Sequence, residues 1–349
     1  MTRNNKEASV ATGAFKQDNK KRRIDLDIIR ITAILMIFVF HFYEAYGFTD
    51  SRFYIYKNGG WGAVGTTMFY ILSGYLLTLG SMKAFYKRRF LSIFPAFYMA
   101  FIMAYLFEAH LRGYFTFAGS LKKLIYTLFG IDGYVGYFGI SSYALVGEWF
   151  TAIIIAIYII YPLLRYALNH FKWTATILIL LAYLANLKYG IFSFSPDATI
   201  FTGLLMFWIG MLFARYQDKL HKVWFIAIPL IMPIILIINV KLPYYPLIWK
   251  NLLGISLFLV IELITYKCLS IKPLSGIISK PITYLSGVSY AIYLTHHYII
   301  YKFRDLKGFI DAGPYTLAVT FTAILGLVLV ISILITFLTN IITRKKRVG

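Results

Sequence analysis

One stretch near the start of the chain places ionisable side chains inside an apolar run. Arg30 and His41 are separated so that an α-helix brings them onto nearly one face, roughly 16 Å apart along its axis. Asp27 lies three residues before Arg30, and Glu44 lies three residues after His41, so each carboxylate can contact its neighbour. A histidine oriented by a carboxylate can act as a general base or carry an acyl group. Because ionisable groups are costly in hydrocarbon, such residues indicate function.

The composition identifies the class of protein. The chain has 349 residues, of which 60% are hydrophobic and only 14% are charged, which is typical of an integral membrane protein. The net charge of +21 comes from short Lys/Arg clusters between apolar runs, which indicates topology signals and contact with anionic lipids rather than nucleic acid. The single cysteine excludes an intramolecular disulfide and a cysteine metal site, and we expect no metal.

The apolar runs predict the architecture. Segments long enough to span a bilayer lie near residues 25–47, 61–80, 91–109, 147–168, 172–190, 199–216, 222–240, 247–266, 281–303 and 314–342. The sequence therefore predicts an all-α integral membrane protein with about ten transmembrane helices. Lys and Arg are more frequent in the segments that this count leaves inside, which predicts that both termini are cytoplasmic. Residues 1–23 read as a disordered basic cytoplasmic tail, and 24–345 as the membrane domain.

The longest connection, residues 110–146, is predicted to lie on the outer side. Its segment 120–129 has one apolar and one basic face, as expected for a helix lying in the membrane interface. A segment rich in Gly and Tyr follows it. A connector lying on the membrane and a lid that binds the acceptor both fit this pattern.

Four motifs, in order along the chain, resemble one family. They are Leu-Asp-Ile-Ile-Arg30 followed by His41, the helix Gly65–Leu77 with Ser73-Gly74, the run Glu148-Trp149-Phe150 to Tyr158-Ile-Ile-Tyr-Pro162, and Gly287-Val-Ser-Tyr-Ala-Ile-Tyr-Leu-Thr-His296-His297. Together they resemble the acyltransferase-3 family of integral membrane O-acyltransferases, over roughly residues 24–342. Many members carry an additional esterase-like domain, whereas this sequence predicts the membrane domain alone.

The resemblance implies a reaction and its participants. It implies that a short acyl group, most simply acetyl, passes from cytoplasmic acyl-CoA to hydroxyls of a cell-surface or exported polysaccharide at a bacterial plasma membrane. Acetyl-CoA would be a donor substrate and no cofactor would be bound. His41 and Glu44 would be catalytic. Arg30, Arg88 and Arg89 would bind the donor, as guanidinium groups suit phosphates. Ser92 stands where the family usually has a second arginine.

The remaining motif residues are candidates for an acceptor site or for structural roles. These are Glu148, Trp149, His296 and Ser73. Ser73-Gly74 is more typical of close helix packing than of a nucleophile, and Glu148 can equally complement a helix N-terminus. We expect His297 to face lipid headgroups.

Structural alternatives exist for the other candidates as well. Arg30 can extend to the inner interface, His41 can be a buried hydrogen-bonding residue, and Arg88 and Arg89 can be topology signals. Glu262 lies within an apolar segment, and the sequence assigns it no definite role, although it can pair with a neighbouring helix. The alternative function is a transporter or flippase for a glycan or another envelope precursor, in which the buried charges line a pathway.

Overall fold

The long apolar runs fold as α-helices, which satisfy their backbone hydrogen bonds internally and so suit a lipid environment. The computed structural model describes residues 23–47, 60–192, 194–220, 246–269, 272–307 and 314–345. In order, its helices are α1 Ile24–Ala45, α2 Trp61–Leu79, α3 Phe85–Arg112, α4 Leu124–Leu128, α5 Asp132–Val135, α6 Glu148–His170, α7 Lys172–Tyr189, α8 Ile200–Arg215, α9 Gln217–Leu220, α10 Pro246–Leu269, α11 Lys272–Lys307 and α12 Pro314–Lys345. No strand occurs in these ranges, which confirms the all-α class.

Six of these helices are long and apolar enough to cross a membrane, which supports a multi-pass membrane protein. They are Ile24–Ala45, Trp61–Leu79, Phe85–Arg112, Trp149–His170, Pro246–Thr265 and Tyr315–Thr343. The predicted count of about ten is therefore not confirmed. The predicted segment 222–240 and the basic tail 1–22 lie outside the described residues.

Helices α1 and α11 run side by side in the same direction. Ser286 of α11 contacts Arg30 of α1. Further along both helices, Tyr301 of α11 contacts Glu44 of α1. These two helices therefore carry polar clusters at opposite ends. Following the predicted topology, we call the one around Arg30 and Ser286 the inner cluster and the one around Glu44 and Tyr301 the outer cluster.

Helix α2 packs closely against α8 through glycines. A Cβ added to Gly74 would lie 2.0 Å from the carbonyl oxygen of Phe207, and one added to Gly210 would lie 2.0 Å from that of Ile71. No larger residue fits at either position without separating the helices. This contact accounts for the Ser73-Gly74 pair by packing, as small residues commonly do between membrane helices.

The connection between α3 and α6 is built from short helical turns. The predicted interfacial segment forms a 3-10 turn, Leu121–Lys123, followed directly by α4. Its apolar residues Leu121, Ile125, Leu128 and Phe129 are exposed, as on a helix that faces the membrane interface. The following turns, from α5 onward, lead back to the beginning of α6.

Candidate functional site

The outer cluster is formed by four side chains from α1 and α11. His41 Nδ1 lies 3.4 Å from Glu44 Oε2, and the Tyr301 hydroxyl donates to the same oxygen at 2.9 Å. The ring of His297 lies 4.9 Å from that of His41, nearly perpendicular to it, and 4.4 Å from that of Tyr301. Because Glu44 and His297 both contact His41, they restrict the orientation of its imidazole.

A third histidine lies behind this cluster. The ring of His296 is 5.2 Å from that of His41, and the residue is fully buried. Its Nδ1 lies 2.8 Å from the backbone oxygen of Tyr293. Because a carbonyl oxygen only accepts, Nδ1 must carry the hydrogen, and the orientation of this ring is set by its own helix.

The outer cluster opens into a cavity of about 530 Å³. Its lining combines polar side chains, aromatic rings and glycines: Ile37, Phe40, His41, Glu44, Gly60, Gly62, Ala63, Thr66, Gly133, Tyr137, Ala144, Leu145, Val146, Gly147, Trp149, Phe150, Ser195, Asp197, Ala198, Lys250, Tyr293, Leu294 and His297. Such a cavity, with a few polar groups among apolar ones, is typical of a binding site. Its walls include the connection between α3 and α6, which favours the lid interpretation of that segment over a plain connector.

The start of α6 is fixed at the cavity wall by α11. The Tyr293 hydroxyl donates to the carbonyl oxygen of Gly147 at 2.5 Å. Gly147 has φ +81°, and a Cβ there would lie 2.8 Å from Phe97 and Thr151, so glycine is required. Glu148 follows as the first residue of α6, and Trp149 lines the cavity.

Asp132 lies beside the cavity-lining residue Gly133. Burial raises the pKa of Asp132 to about 6, against the opposing effect of the hydrogen bond from Thr127. The Ser142 hydroxyl donates to the backbone oxygen of Asp132 at 3.0 Å. Through Asp132, these contacts link Thr127 of α4 to Ser142, which lies near the other end of the connection.

The inner cluster contains charged pairs. The Arg30 guanidinium donates to Ser286 Oγ at 2.8 Å and lies 3.5 Å from Asp27 Oδ1, to which Ser286 donates at 2.6 Å. Arg23 donates to Glu262 Oε1 at 2.7 Å. Glu262 of α10, to which the sequence assigned no definite role, thus pairs with the residue that precedes α1.

The other predicted donor-binding residues lie at the start of α3. Arg88 is exposed and donates to the backbone oxygen of Ser81. The guanidinium carbon of Arg89 lies 5.8 Å from the centre of the Tyr158 ring. Arg165 of α6, which the sequence motifs did not indicate, donates to the backbone oxygen of Gly80 at 2.7 Å. Cations from α3 and α6 therefore lie at the same end of the helices.

A comparison with protein families identifies the family of this chain. A family model of an acyltransferase domain matches residues 23–337. The chain belongs to the acyltransferase-3 family. The motif resemblance is confirmed, and membership makes this multi-pass membrane protein an acyltransferase. Neither the curated proteins nor the solved structures gave a match.

The structure brings some of the predicted residues of this acyltransferase together and separates others. His41, Glu44 and Trp149 line one cavity, and His296 lies against His41. Arg30 lies in the inner cluster instead. The expectation that His297 faces lipid headgroups is wrong, because this residue lines the cavity beside His41. The spacing of one helical turn between His297 and Tyr301 could have indicated that the two residues lie on the same face of the helix.

Three further residues in or beside the cavity were not predicted from the sequence. They are Tyr301, Asp197 and Lys250. Tyr301 holds Glu44, whereas Asp197 and Lys250 form an ion pair of 2.8 Å on the wall. Among the described residues, no group of three or more His, Cys, Asp or Glu side chains could hold a metal ion.

Proposed function

We propose that this acyltransferase moves a short acyl group, most simply acetyl, from cytoplasmic acyl-CoA to hydroxyls of a cell-surface or exported polysaccharide. The observation that carries the proposal is the His41–Glu44 pair in the wall of the cavity, with His297 and Tyr301 packed around it. We place the protein in a bacterial plasma membrane, with this cavity on its outer side.

The contact with Glu44 assigns different roles to the two nitrogens of His41. With Nδ1 facing the carboxylate, we assign Nε2 to the reacting group. As a general base, Nε2 takes the proton of the acceptor hydroxyl while its oxygen forms the ester bond to the acyl carbon. The carbon–sulfur bond to CoA then breaks, and the thiolate recovers the proton. As an acyl carrier, Nε2 would instead attack the acyl carbon while the carbon–sulfur bond breaks and the CoA thiolate leaves. The acceptor oxygen would then bond to the acyl carbon as the carbon–nitrogen bond breaks, and its proton would pass to the thiolate.

The donor would enter from the inner end of the helices. Arg88 and Arg89 lie there together with Arg165, and Arg30 lies at the inner end of α1. Phosphates of CoA suit such guanidinium groups. The pantetheine arm would extend along α1 to His41, roughly 16 Å from Arg30.

The glycan acceptor would occupy the aromatic part of the cavity. Trp149 and Tyr137 lie in its walls and offer planar apolar surfaces to the carbon–hydrogen faces of a sugar. The connection between α3 and α6 would cover the acceptor as a lid.

Removal of the protein from cells tests the proposal. Cells without it should make the same polysaccharide backbone with fewer ester groups, measured by mass spectrometry of the isolated glycan. Base treatment of the wild-type glycan should reproduce that state. Unchanged ester content, with glycan retained inside the cell, would contradict the proposal and favour an exporter.

A further inference from the structure

We infer that Asp197 and Lys250 bind two neighbouring hydroxyls of an uncharged sugar residue, and so select a neutral acceptor for the site that we propose. The inference rests on the proposed function for its role in acyl transfer. The sugar binding itself can be measured without any transfer.

The two residues lie in the wall of the cavity that also contains His41 and Trp149. Lys250 Nζ lies 2.8 Å from Asp197 Oδ2, and the Lys250 side chain is 11% exposed while that of Asp197 is 25% exposed. An ion pair exposed on the surface would be screened by water and would contribute little free energy. This pair is partly withdrawn from water and faces the space that a substrate of His41 must use.

The pair retains unused hydrogen-bonding capacity. Asp197 Oδ1 is buried and has no hydrogen-bond partner among the described residues. A buried acceptor without a partner costs free energy, which a hydroxyl donor would recover. Lys250 has three N–H donors, of which Asp197 receives one. The dyad can therefore accept from one hydroxyl and donate to the oxygen of the next.

Asp197 has a rigid support. It lies in the 3-10 turn Pro196–Ala198. The carbonyl oxygen of Pro196 accepts from the hydroxyls of Thr199 and Thr202, at 2.9 and 2.8 Å. This turn fixes the backbone that carries the carboxylate.

Lys250 is equally well supported, by the residue that follows it. Asn251 donates from its amide to the hydroxyl of Tyr183 at 2.9 Å and accepts from Thr67 at 2.8 Å. These contacts tie the start of α10 to α7 and α2. A binding group held in this way loses little conformational entropy when a ligand binds.

The charge of the dyad favours a neutral ligand. Because one cation and one anion cancel, the pair has no net attraction for a carboxylate or a phosphate. If the carboxylate of a uronic acid took the place of the hydroxyl at Asp197, the like charges would repel at that distance. A neutral hexose with adjacent hydroxyls meets no such penalty.

Direct binding to the purified full-length protein in detergent tests the inference. Isothermal titration would use malto-, cello-, manno- and galacto-oligosaccharides as neutral ligands, and oligogalacturonate as the acidic one. We expect at least one neutral oligosaccharide to bind, and oligogalacturonate to bind more weakly. Asp197→Asn should weaken the neutral ligand about 10- to 100-fold, as expected for loss of a hydrogen bond to a charged group.

Three further variants complete the test. Asp305→Asn makes the same change in an exposed outer carboxylate that does not line the cavity, and should bind as the wild type does. Asp197→Glu keeps the charge but displaces the carboxylate, so binding should fall without loss of folding. Asp197→Asn combined with Lys250→Gln removes both charges, so that no unpaired charge is left in the wall.

The outcomes separate this inference from the proposed function. Wild-type binding by folded Asp197→Asn, or by the folded double variant if the single one does not fold, would overturn the inference. Failure of every neutral oligosaccharide to bind, or preference for oligogalacturonate, would also overturn it. Release of free CoA from acetyl-CoA, measured in the same preparations, tests the proposed function independently.

Discussion

The two ends of the α1–α11 pair carry polar clusters of different kinds. At the inner end, guanidinium groups pair with carboxylates: Arg30 with Asp27, and Arg23 with Glu262. At the outer end, the rings of His296 and His297 lie 5.2 and 4.9 Å from that of His41, and His41 and His297 line a cavity. Fixed charges hold helices and attract phosphates, whereas imidazoles exchange protons near neutral pH.

In the function that we propose, the inner cluster binds the donor and the outer cluster carries out the chemistry. Variants of the inner cluster are expected to change the KM for the donor, and variants of the outer cluster to change kcat. A mutation that changes only KM removed binding shared by the ground state and the transition state, whereas a mutation that lowers kcat affected the transition state. Each variant of these two clusters is measured as transfer from radiolabelled acetyl-CoA into isolated glycan.

Replacement of His41 is expected to have the largest effect. His41→Ala should lower kcat by about 10²- to 10⁴-fold, because it removes the imidazole that takes the proton or carries the acyl group. His110→Ala, at an exposed outer position that does not line the cavity, is the matched control and should be active. Near-normal turnover by folded His41→Ala would remove the distinction between the clusters.

Neutralisation of Glu44 is expected to come second. Glu44→Gln should lower kcat about 10- to 100-fold, since it weakens a charge-assisted contact that orients His41 and stabilises its protonated form. Tyr301→Phe, which removes only the hydroxyl that holds Glu44, should have a smaller effect. A larger effect for Tyr301→Phe than for Glu44→Gln would show that Tyr301 acts on substrate directly.

Loss of His297 is expected to reduce kcat by about 10-fold. His297→Ala removes the ring that packs against His41, so the imidazole loses part of its orientation, and misplacement of a catalytic group slows the chemical step. His297→Phe, which restores a ring of similar shape, should recover much of the rate. If both variants are equally impaired, His297 contributes a polar atom rather than packing.

At the inner cluster, Arg30→Lys is expected to raise the KM for acetyl-CoA by about 10-fold with a smaller change in kcat. The charge is kept, but the planar fork that can bind a phosphate is lost. Ser286→Ala removes the hydroxyl between Arg30 and Asp27 and serves as the companion variant. An effect of Arg30→Lys on kcat alone would place Arg30 in the chemistry and contradict the division.

The smallest effect concerns Asp132, on stability rather than rate. Its folded pKa of about 6 lies above the usual value of 3.8, so the folded state binds a proton more readily than the unfolded chain. The resulting stability is fully present below about pH 4 and is lost as pH rises through 6, by at most about 3 kcal/mol. Thermal unfolding of the wild type should show this loss. Asp132→Asn should flatten it, and an unchanged profile would contradict the assignment.

Local sequence spacing predicted what lies within one helix. The contact of His41 with Glu44 follows from a separation of three residues, as does that of Arg30 with Asp27. The boundaries of α1 and α2 agree closely with the apolar runs 25–47 and 61–80. These features depend on helix periodicity and hydrophobicity alone, which a single sequence displays.

Contacts between distant segments could not be predicted in the same way. Asp197 meets Lys250, and Arg23 meets Glu262, only because of how the helices pack. For His297, the rotation of α11 about its axis decides which of two adjacent histidines lines the cavity. That rotation is fixed by contacts with α1 and α6, none of which a local pattern contains.

Acyl transfer across a membrane by the purified protein, measured with and without the His41 imidazole, tests the proposed chemistry most directly. Purified wild-type and His41→Ala proteins, reconstituted in vesicles, would receive radiolabelled acetyl-CoA on one side and the isolated, de-esterified glycan on the other. We expect base-labile label in the glycan with the wild type, and at least about 100-fold less with His41→Ala. Equal labelling by the two proteins would contradict the proposed chemistry.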